Sequence, residues 1–560
     1  MGDMNRFLHR YQYILFILII SGIFCLDLFV RVGRPSAFDA PTHLANIAQF
    51  TSTLRDGDFP VRWFDGFANY GMPMGVIVQQ TTSYLGAVFN LVFNNVVFSY
   101  NLVVFVGTFF SLLFLFKFLT LHFSKPASLL GVLLFAFAPY RIINIYVRGA
   151  LPEYFAHVFF PLIFIGLLYW IKQREIKGLW FLMTGVVGIL LTHPFTIVIG
   201  SFLFIPYALY LLLEKKRSLK ESTQILIPFI PVILLALGLA AYYIIPLFLE
   251  IKYFYYGRSG QGLLPNQHLT LLNYVGDYWS YFTVHDIDVR GHVIHLGVFE
   301  LLIAFGGVLY WGSKDRKSRI IPALLGVLGM LIFFTTQYAN GIYTSIPFLG
   351  GIQHNWRMFT SIVFIVPIIA AYIVDRTNSR VLIGIIILTV LVLRVPQLYG
   401  KNYLLESDTK HYASIENLHG NILNTIWTGP TQDYPTKEFK GEIIEGRGRI
   451  VGRIEMNSRR KYEVKADTEL RLVDNTFYFP GWRVYVNGGE VPIEFQDMNY
   501  RGVITYKVPP GSHTVEVVFT NTKIRLLGNT VTLGSIALLI WILFFNKKYL
   551  SPHHSSEHRA

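Results

Sequence analysis

Asp39 and His43 stand four residues apart in Phe38-Asp39-Ala40-Pro41-Thr42-His43. Pro41 suits the first turn of a helix, and on such a helix Asp39 and His43 lie close together. A carboxylate beside an imidazole can accept a proton and pass it on. An Asp ahead of a proline-led helix can equally serve as its N-cap, accepting from free backbone N–H groups. A second stretch runs Pro139-Tyr140-Arg141, then Tyr146-Val147-Arg148-Gly149-Ala150-Leu151-Pro152-Glu153. The planar fork of arginine suits a phosphate, while Arg148 and Glu153 can also simply pair with each other. His193 interrupts an apolar stretch as Thr192-His193-Pro194, and reads as a structural histidine or as a substrate-binding one. His354 and Arg357 sit in Gln353-His354-Asn355-Trp356-Arg357.

Asp56-Gly57-Asp58 reads as a solvated turn, or more weakly as an Asp-x-Asp metal pattern. Trp63, Phe64, Phe67 and Tyr70 form an aromatic group that suits either an interfacial belt or a platform for stacking sugar rings. Asp27 and Glu300 fall near helix ends, where an acid is expected to face a cavity rather than lipid.

These residues must be positioned by membrane helices. Of the 560 residues 53% are hydrophobic and only 15% charged, where a soluble domain carries about a quarter charged. Apolar runs long enough to cross a hydrocarbon core of about 30 Å recur at 13–30, 99–116, 126–140, 154–171, 179–196, 197–213, 225–249, 295–311, 320–336, 357–374, 380–396 and 527–546. The expected fold is an α-helical polytopic membrane protein of about twelve spans. The first run follows Arg6 and Arg10 and lacks a small-residue cleavage site, so it reads as a retained helix. The only cysteine, Cys25, excludes disulfides and Cys-based zinc sites.

The formal net charge is +14, yet the basic residues sit in short loops between spans, which argues against a nucleic-acid partner. Lys117 and Lys125, Lys172 and Lys177, Lys215 and Arg217, Arg316 and Arg319, Arg376 and Arg380, then Lys547 and Lys548 occupy every second connection. Under the positive-inside rule these connections and both termini are cytoplasmic. The remaining polar residues gather on the other, extracytoplasmic face. There the segment 397–526 includes, at about 440–522, short Val- and Ile-rich runs cut by Pro480-Gly481, Asn487-Gly488-Gly489 and Pro509-Pro510-Gly511. A small all-β sandwich is expected, with a hairpin at Asn487-Gly488. It divides a transmembrane core of 1–396 from a final helix and tail at 527–560.

Asp39-Ala-Pro-Thr-His43, Gly57-Asp-Phe-Pro-Val-Arg62-Trp63, Gly66-Phe-Ala-Asn-Tyr-Gly71, Ala138-Pro-Tyr-Arg141 and Tyr478-Phe-Pro-Gly-Trp-Arg-Val-Tyr-Val-Asn-Gly488 together resemble the YfhO-like, 6-pyruvoyl-tetrahydropterin-synthase-related bacterial membrane proteins. That group is similar to the GT-C superfamily of glycosyltransferases. The resemblance implies transfer of a sugar from a polyprenyl-phosphate donor, within the membrane lipid, to a cell-envelope glycan or teichoic-acid-like acceptor outside the cytoplasm. It implies Asp39 as the catalytic acid of the first outer loop and Glu153 as a second acidic position. Many members hold a divalent cation such as Mg or Mn between paired acids; here Asp39 and Glu153 are the acids available, and none stands directly beside Asp39. In the resulting scheme Asp39, His43 and Glu153 are catalytic. Arg141, Arg148, His193, His354, Arg357, Trp63 and Tyr70 bind substrate. Two other readings stay open: a transporter or flippase for lipid-linked saccharides, and a non-enzymatic envelope-assembly protein.

Overall fold

The computed structural model describes residues 2–545 apart from 34, 36, 67–69, 216, 255–268, 277–293, 311–315, 347–348, 350, 402–408, 414–424, 429–433 and 436. Phe67, Lys547 and Lys548, named above, lie outside the described residues. Within them, eight helices are long and apolar enough to cross a membrane, and up to ten if each bent pair counts as one span. Two shorter apolar helices, Lys177–Thr192 and Val298–Val308, stand where the sequence places further spans.

Several apparent spans are broken, and proline accounts for much of it. The run 126–140 becomes Lys125–Ala136 and, after a 42° bend, Pro139–Tyr146. Proline lacks an N–H and fits the first turn of a new helix better than the interior of an old one. Pro139, Pro152 and Pro161 each open a short helix in this way. The stretch 141–153, expected as an outer loop, is therefore mostly helical, and it is buried throughout.

The segment expected as the first outer loop also contains structure. Pro41 stands in the first turn of Ala40–Arg55, as its position suggests, and a second helix, Gln80–Phe93, returns the chain to the bundle. The final helix, Lys523–Phe545, packs on Phe229–Leu239 and Ala241–Glu250 through small residues. A Cβ at Gly528 would lie 2.8 Å from the Ala241 carbonyl oxygen, and the Thr532 hydroxyl donates to the Gly238 carbonyl at 3.0 Å. Small residues at such contacts let helix backbones approach closely in lipid.

The C-terminal β region has eight strands: β1 Gly441–Glu445, β2 Gly448–Glu455, β3 Arg459–Ala466, β4 Leu470–Phe477, β5 Trp482–Val486, β6 Gly489–Val491, β7 Val503–Val508 and β8 Gly511–Phe519. They form two antiparallel sheets, ordered β1-β4-β7 and β2-β3-β8-β5-β6. Alternate residues of β3 are buried, as expected for strands with one face inward. Asn487 and Gly488 both adopt positive φ, 53° and 83°. This is the backbone that a two-residue hairpin turn requires, and β5 and β6 pair across it.

Candidate functional site

Glu153 is the centre of a buried polar cluster that includes Tyr140, Arg148, Arg357 and Thr360. It lies in Leu151–Ala156, whose first turn carries Pro152, and is 2% exposed. Its Oε1 accepts from the Tyr140 hydroxyl at 2.5 Å and the Thr360 hydroxyl at 2.9 Å. Arg148 meets both oxygens, Nη1 to Oε1 at 3.3 Å and Nη2 to Oε2 at 3.1 Å. Arg357 Nε stands 3.4 Å from Oε2. Three donors thus converge on Oε1, while Oε2 takes one hydrogen bond, from Arg148, with Arg357 alongside as an ion-pair partner.

The pairing of Arg148 with Glu153 therefore exists, but inside a larger network. Two guanidinium groups share the Glu153 carboxylate. Glu153 is engaged on both oxygens and stands beside two cations, surroundings that disfavour a further positive charge such as a metal ion. The donor set does not fit the divalent cation considered from the sequence. Among the described residues no group of three His, Cys, Asp or Glu side chains is arranged to hold a metal.

Asp39 is brought beside this cluster by backbone. The Phe38 N–H donates to Val147 O at 3.2 Å and the Asp39 N–H to Arg148 O at 2.5 Å. This approach depends on Gly149, whose φ is +68° and whose Cβ, if present, would stand 2.6 Å from the Ala40 nitrogen. Asp39 occupies the N-cap position of Ala40–Arg55, but its side chain makes no cap hydrogen bond. Plain capping thus fails to account for it. The Asp39 carboxylate acts electrostatically on Arg148. His43 follows one turn later, its N–H donating to Asp39 O at 3.3 Å, and both side chains are half-buried.

His193 ends Lys177–Thr192, and its Nδ1 is 2.7 Å from the Thr196 hydroxyl. It lies within the electrostatic reach of Arg357, Glu153 and Arg148. Arg357, 14% exposed, is the most open cation of the group. Its Nη1 donates to Ile352 O and Gln353 Oε1, both at 3.0 Å. Gln353 holds a left-handed backbone at φ 63°, and the His354 ring stacks on Trp356 at 4.3 Å.

Three sequence candidates are placed elsewhere. Arg141 is fully buried. It contacts His157 Nδ1 at 3.0 Å and donates to the Ser111 hydroxyl at 3.1 Å and the Tyr154 hydroxyl at 2.9 Å. Its guanidinium also lies over the Phe135 ring at 4.1 Å. It is an interior strut, with no surface to offer a phosphate. Trp63 is buried against Trp482 and Phe519 of the β region, and Tyr70 stacks on Phe477. Their ring faces are covered by protein, so they serve neither as a sugar platform nor as an interfacial belt.

Those two aromatics belong to a seam joining the first loop to the β region. Asp56 accepts from the Asn457 N–H at 2.8 Å and its Nδ2 at 2.6 Å. Asp58 accepts from the Ser458 hydroxyl and pairs with Arg459. Asp65 pairs with Arg460 and, at 3.1 Å, with Lys440. The Asp-x-Asp acids thus cap the β2–β3 turn. Asp27 pairs with Arg31 and accepts from the Gly400 N–H. Glu300 pairs with Arg394 at 2.7 Å and lines a narrow apolar cleft, of about 20 Å³, with Tyr140, Phe359, Ile362 and Val363.

Sequence reasoning left out Tyr140, Thr360 and Gln353 as site residues. Tyr140 stood inside the quoted Pro-Tyr-Arg motif, and Thr360 follows Arg357 by three residues, the spacing of one helix face.

Comparison with known proteins follows this geometry. An uncharacterized protein of Lactococcus lactis subsp. cremoris (strain MG1363) is 25% identical over 252 residues, 44% of this chain and 40% of that protein. The chain thus spans less than half of that relative. Among solved structures, the archaeal oligosaccharyltransferase AglB from Archaeoglobus fulgidus, in complex with an inhibitory peptide and a dolichol-phosphate, aligns with a TM-score of 0.40 and 13% identity. That alignment covers 71% of this chain and 57% of the other. A crystal structure of the Archaeoglobus fulgidus oligosaccharyltransferase with Zn and sulfate gives 0.40 and 12%, over 76% of this chain and 59% of the other. The family model for the 6-pyruvoyl-tetrahydropterin synthase related domain, described as a membrane protein, matches residues 82–399, more than half of the chain. The chain belongs to this 6-pyruvoyl-tetrahydropterin-synthase-related family of membrane proteins.

Proposed function

We propose that the protein is a membrane glycosyltransferase of GT-C type, moving a sugar from a polyprenyl-phosphate donor to an extracytoplasmic cell-envelope acceptor. The observation that carries this reading is a half-open rim of Asp39, His43 and Arg357 around the buried Arg148–Glu153 pair. Tyr140 links that pair to the apolar cleft, since it lines the cleft and donates to Glu153. The sequence resemblance supplies the reaction class. The pterin label of the family is no guide to activity.

In this scheme the donor phosphate meets Arg357, backed by Arg148. Asp39 accepts the proton of the acceptor hydroxyl, and His43 orients the carboxylate. The hydroxyl oxygen bonds to the anomeric carbon as the carbon–oxygen bond to phosphate breaks. The electron pair leaves on polyprenyl phosphate, where fixed positive charge is most useful. Direct displacement inverts the anomeric carbon. Glu153 holds the two arginines in place and takes no part in proton transfer. The β region covers the first loop and presents the acceptor.

The test is incubation of purified protein with a panel of radiolabelled polyprenyl-phosphate sugars and envelope acceptor. Wild type transfers label, and Asp39→Asn loses at least about a hundredfold while inserting normally. Undiminished transfer by Asp39→Asn removes Asp39 from the mechanism. Absence of transfer from every donor removes the reaction class.

A further inference from the structure

At the opposite end of the bundle, four basic connections meet around a half-open cavity of about 200 Å³. The turn between Val96–Thr120 and Lys125–Ala136 contributes His122 and Phe123. Lys172, Tyr210 and Glu214, and Ile320 come from three further helix ends. Lys172 Nζ pairs with Glu214 at 3.0 Å, but the partners are unequally placed: the Lys172 side chain is 35% exposed and that of Glu214 only 4%. The charge facing the cavity is therefore positive, although the pair is neutral.

The cavity also borders the lipid-facing surface. On Thr196–Leu213 the exposed residues Ile205, Leu209 and Leu213 recur every four positions, the stripe of one helix face. Tyr210 and Glu214 each follow one of them by a single residue, about 100° around the helix, which turns them into the cavity. The neighbouring charges are mostly basic. Lys215 and Arg319 are exposed beside lining residues, and Lys117 and Lys125 flank the turn. Arg217 is committed to the carbonyls of Leu211, Leu212 and Ile171. The acids are Glu214, held by Lys172, Glu175, paired with Lys177, and Asp375, which accepts from the Ser124 N–H at 2.8 Å. His122 Nε2 lies 3.1 Å from the Tyr207 hydroxyl.

We propose that this cavity binds a phosphate ester, that of an anionic phospholipid headgroup, with Lys172 as its cation and the apolar lining receiving the start of the acyl chains. A basic pocket between helix ends at the membrane surface is suited to such a headgroup. The proposal is independent of the transferase reading.

Native mass spectrometry of the full chain in detergent, with added phosphatidylglycerol or phosphatidylcholine, tests it. The double variant Lys172→Gln/Glu214→Gln removes both charges and keeps a hydrogen-bonding pair, so no buried acid is stranded. Wild type and Lys172→Arg retain phosphatidylglycerol in preference to phosphatidylcholine, and the double variant retains it about fivefold less. Titration with inorganic phosphate separates the sources. Displacement of phosphatidylglycerol by phosphate from wild type, but not from the double variant, assigns the same cation to a water-borne anion. Equal retention of both lipids, or equal retention by wild type and the double variant, overturns the proposal.

Discussion

Replacing Glu153 by Gln removes one negative charge from between two guanidinium groups, and the cost falls on the fold. Breaking a buried pair from one side costs about 3–5 kcal/mol, so thermal unfolding of Glu153→Gln in detergent should occur well below wild type. A variant as stable as wild type would mean that the cluster is hydrated rather than closed. Asp39, His43, Arg148, Glu153, His193 and Arg357 were legible as site candidates because polar residues stand out in an apolar chain. Arg141 was misread for the same reason. A buried arginine suggests a wet cavity, yet this one is held by Ser111, Tyr154, His157 and the ring of Phe135. Nothing local in the sequence announces such partners.

Helices and strands were read with uneven success, and the short elements of the site show why. Long apolar runs pointed to about twelve spans where eight to ten membrane-length helices stand among the described residues, and the proline-led helices Pro139–Tyr146 and Leu151–Ala156 looked like interruptions. A proline reports the end of one helix more loudly than the start of the next. The contact between the 147–150 turn and the start of Ala40–Arg55 is the element-level device that holds Asp39. Gly149→Ala places a methyl group 2.6 Å from the Ala40 nitrogen and forces a side chain into left-handed backbone, a strain of about 1–3 kcal/mol. Sugar transfer should fall further than thermal stability does, because Asp39 is displaced from Arg148. Parallel losses, or no loss of transfer, would show that this contact serves the fold alone.

Over the whole molecule, the loop and the β region are joined by charge as well as by aromatic packing. Burial alone would raise the Asp65 carboxyl, but Arg460 and Lys440 outweigh it and hold its pKa below the ordinary 3.8. A group depressed in the folded state stabilises above its unfolded pKa. That stability is lost as pH falls below about 4. Asp65→Asn should therefore be less stable near neutrality and should show less of the further loss on acidification below that pH, measured by unfolding across an acid series. An unchanged acid limb would remove Asp65 from the seam's energetics. None of this was legible beforehand, because Asp56 and its partner Asn457 are separated by 401 positions.

That separation has a consequence in time. At roughly 5–20 residues per second, a ribosome needs on the order of 20–80 s to travel from the loop to strands that cover it. Throughout that interval Trp63 has no Trp482 to lie against and Asp65 no Arg460. The nascent chain waits half-built outside the bilayer, and its vulnerability to proteases and holdases is set by the rate of synthesis rather than by the stability of the finished fold.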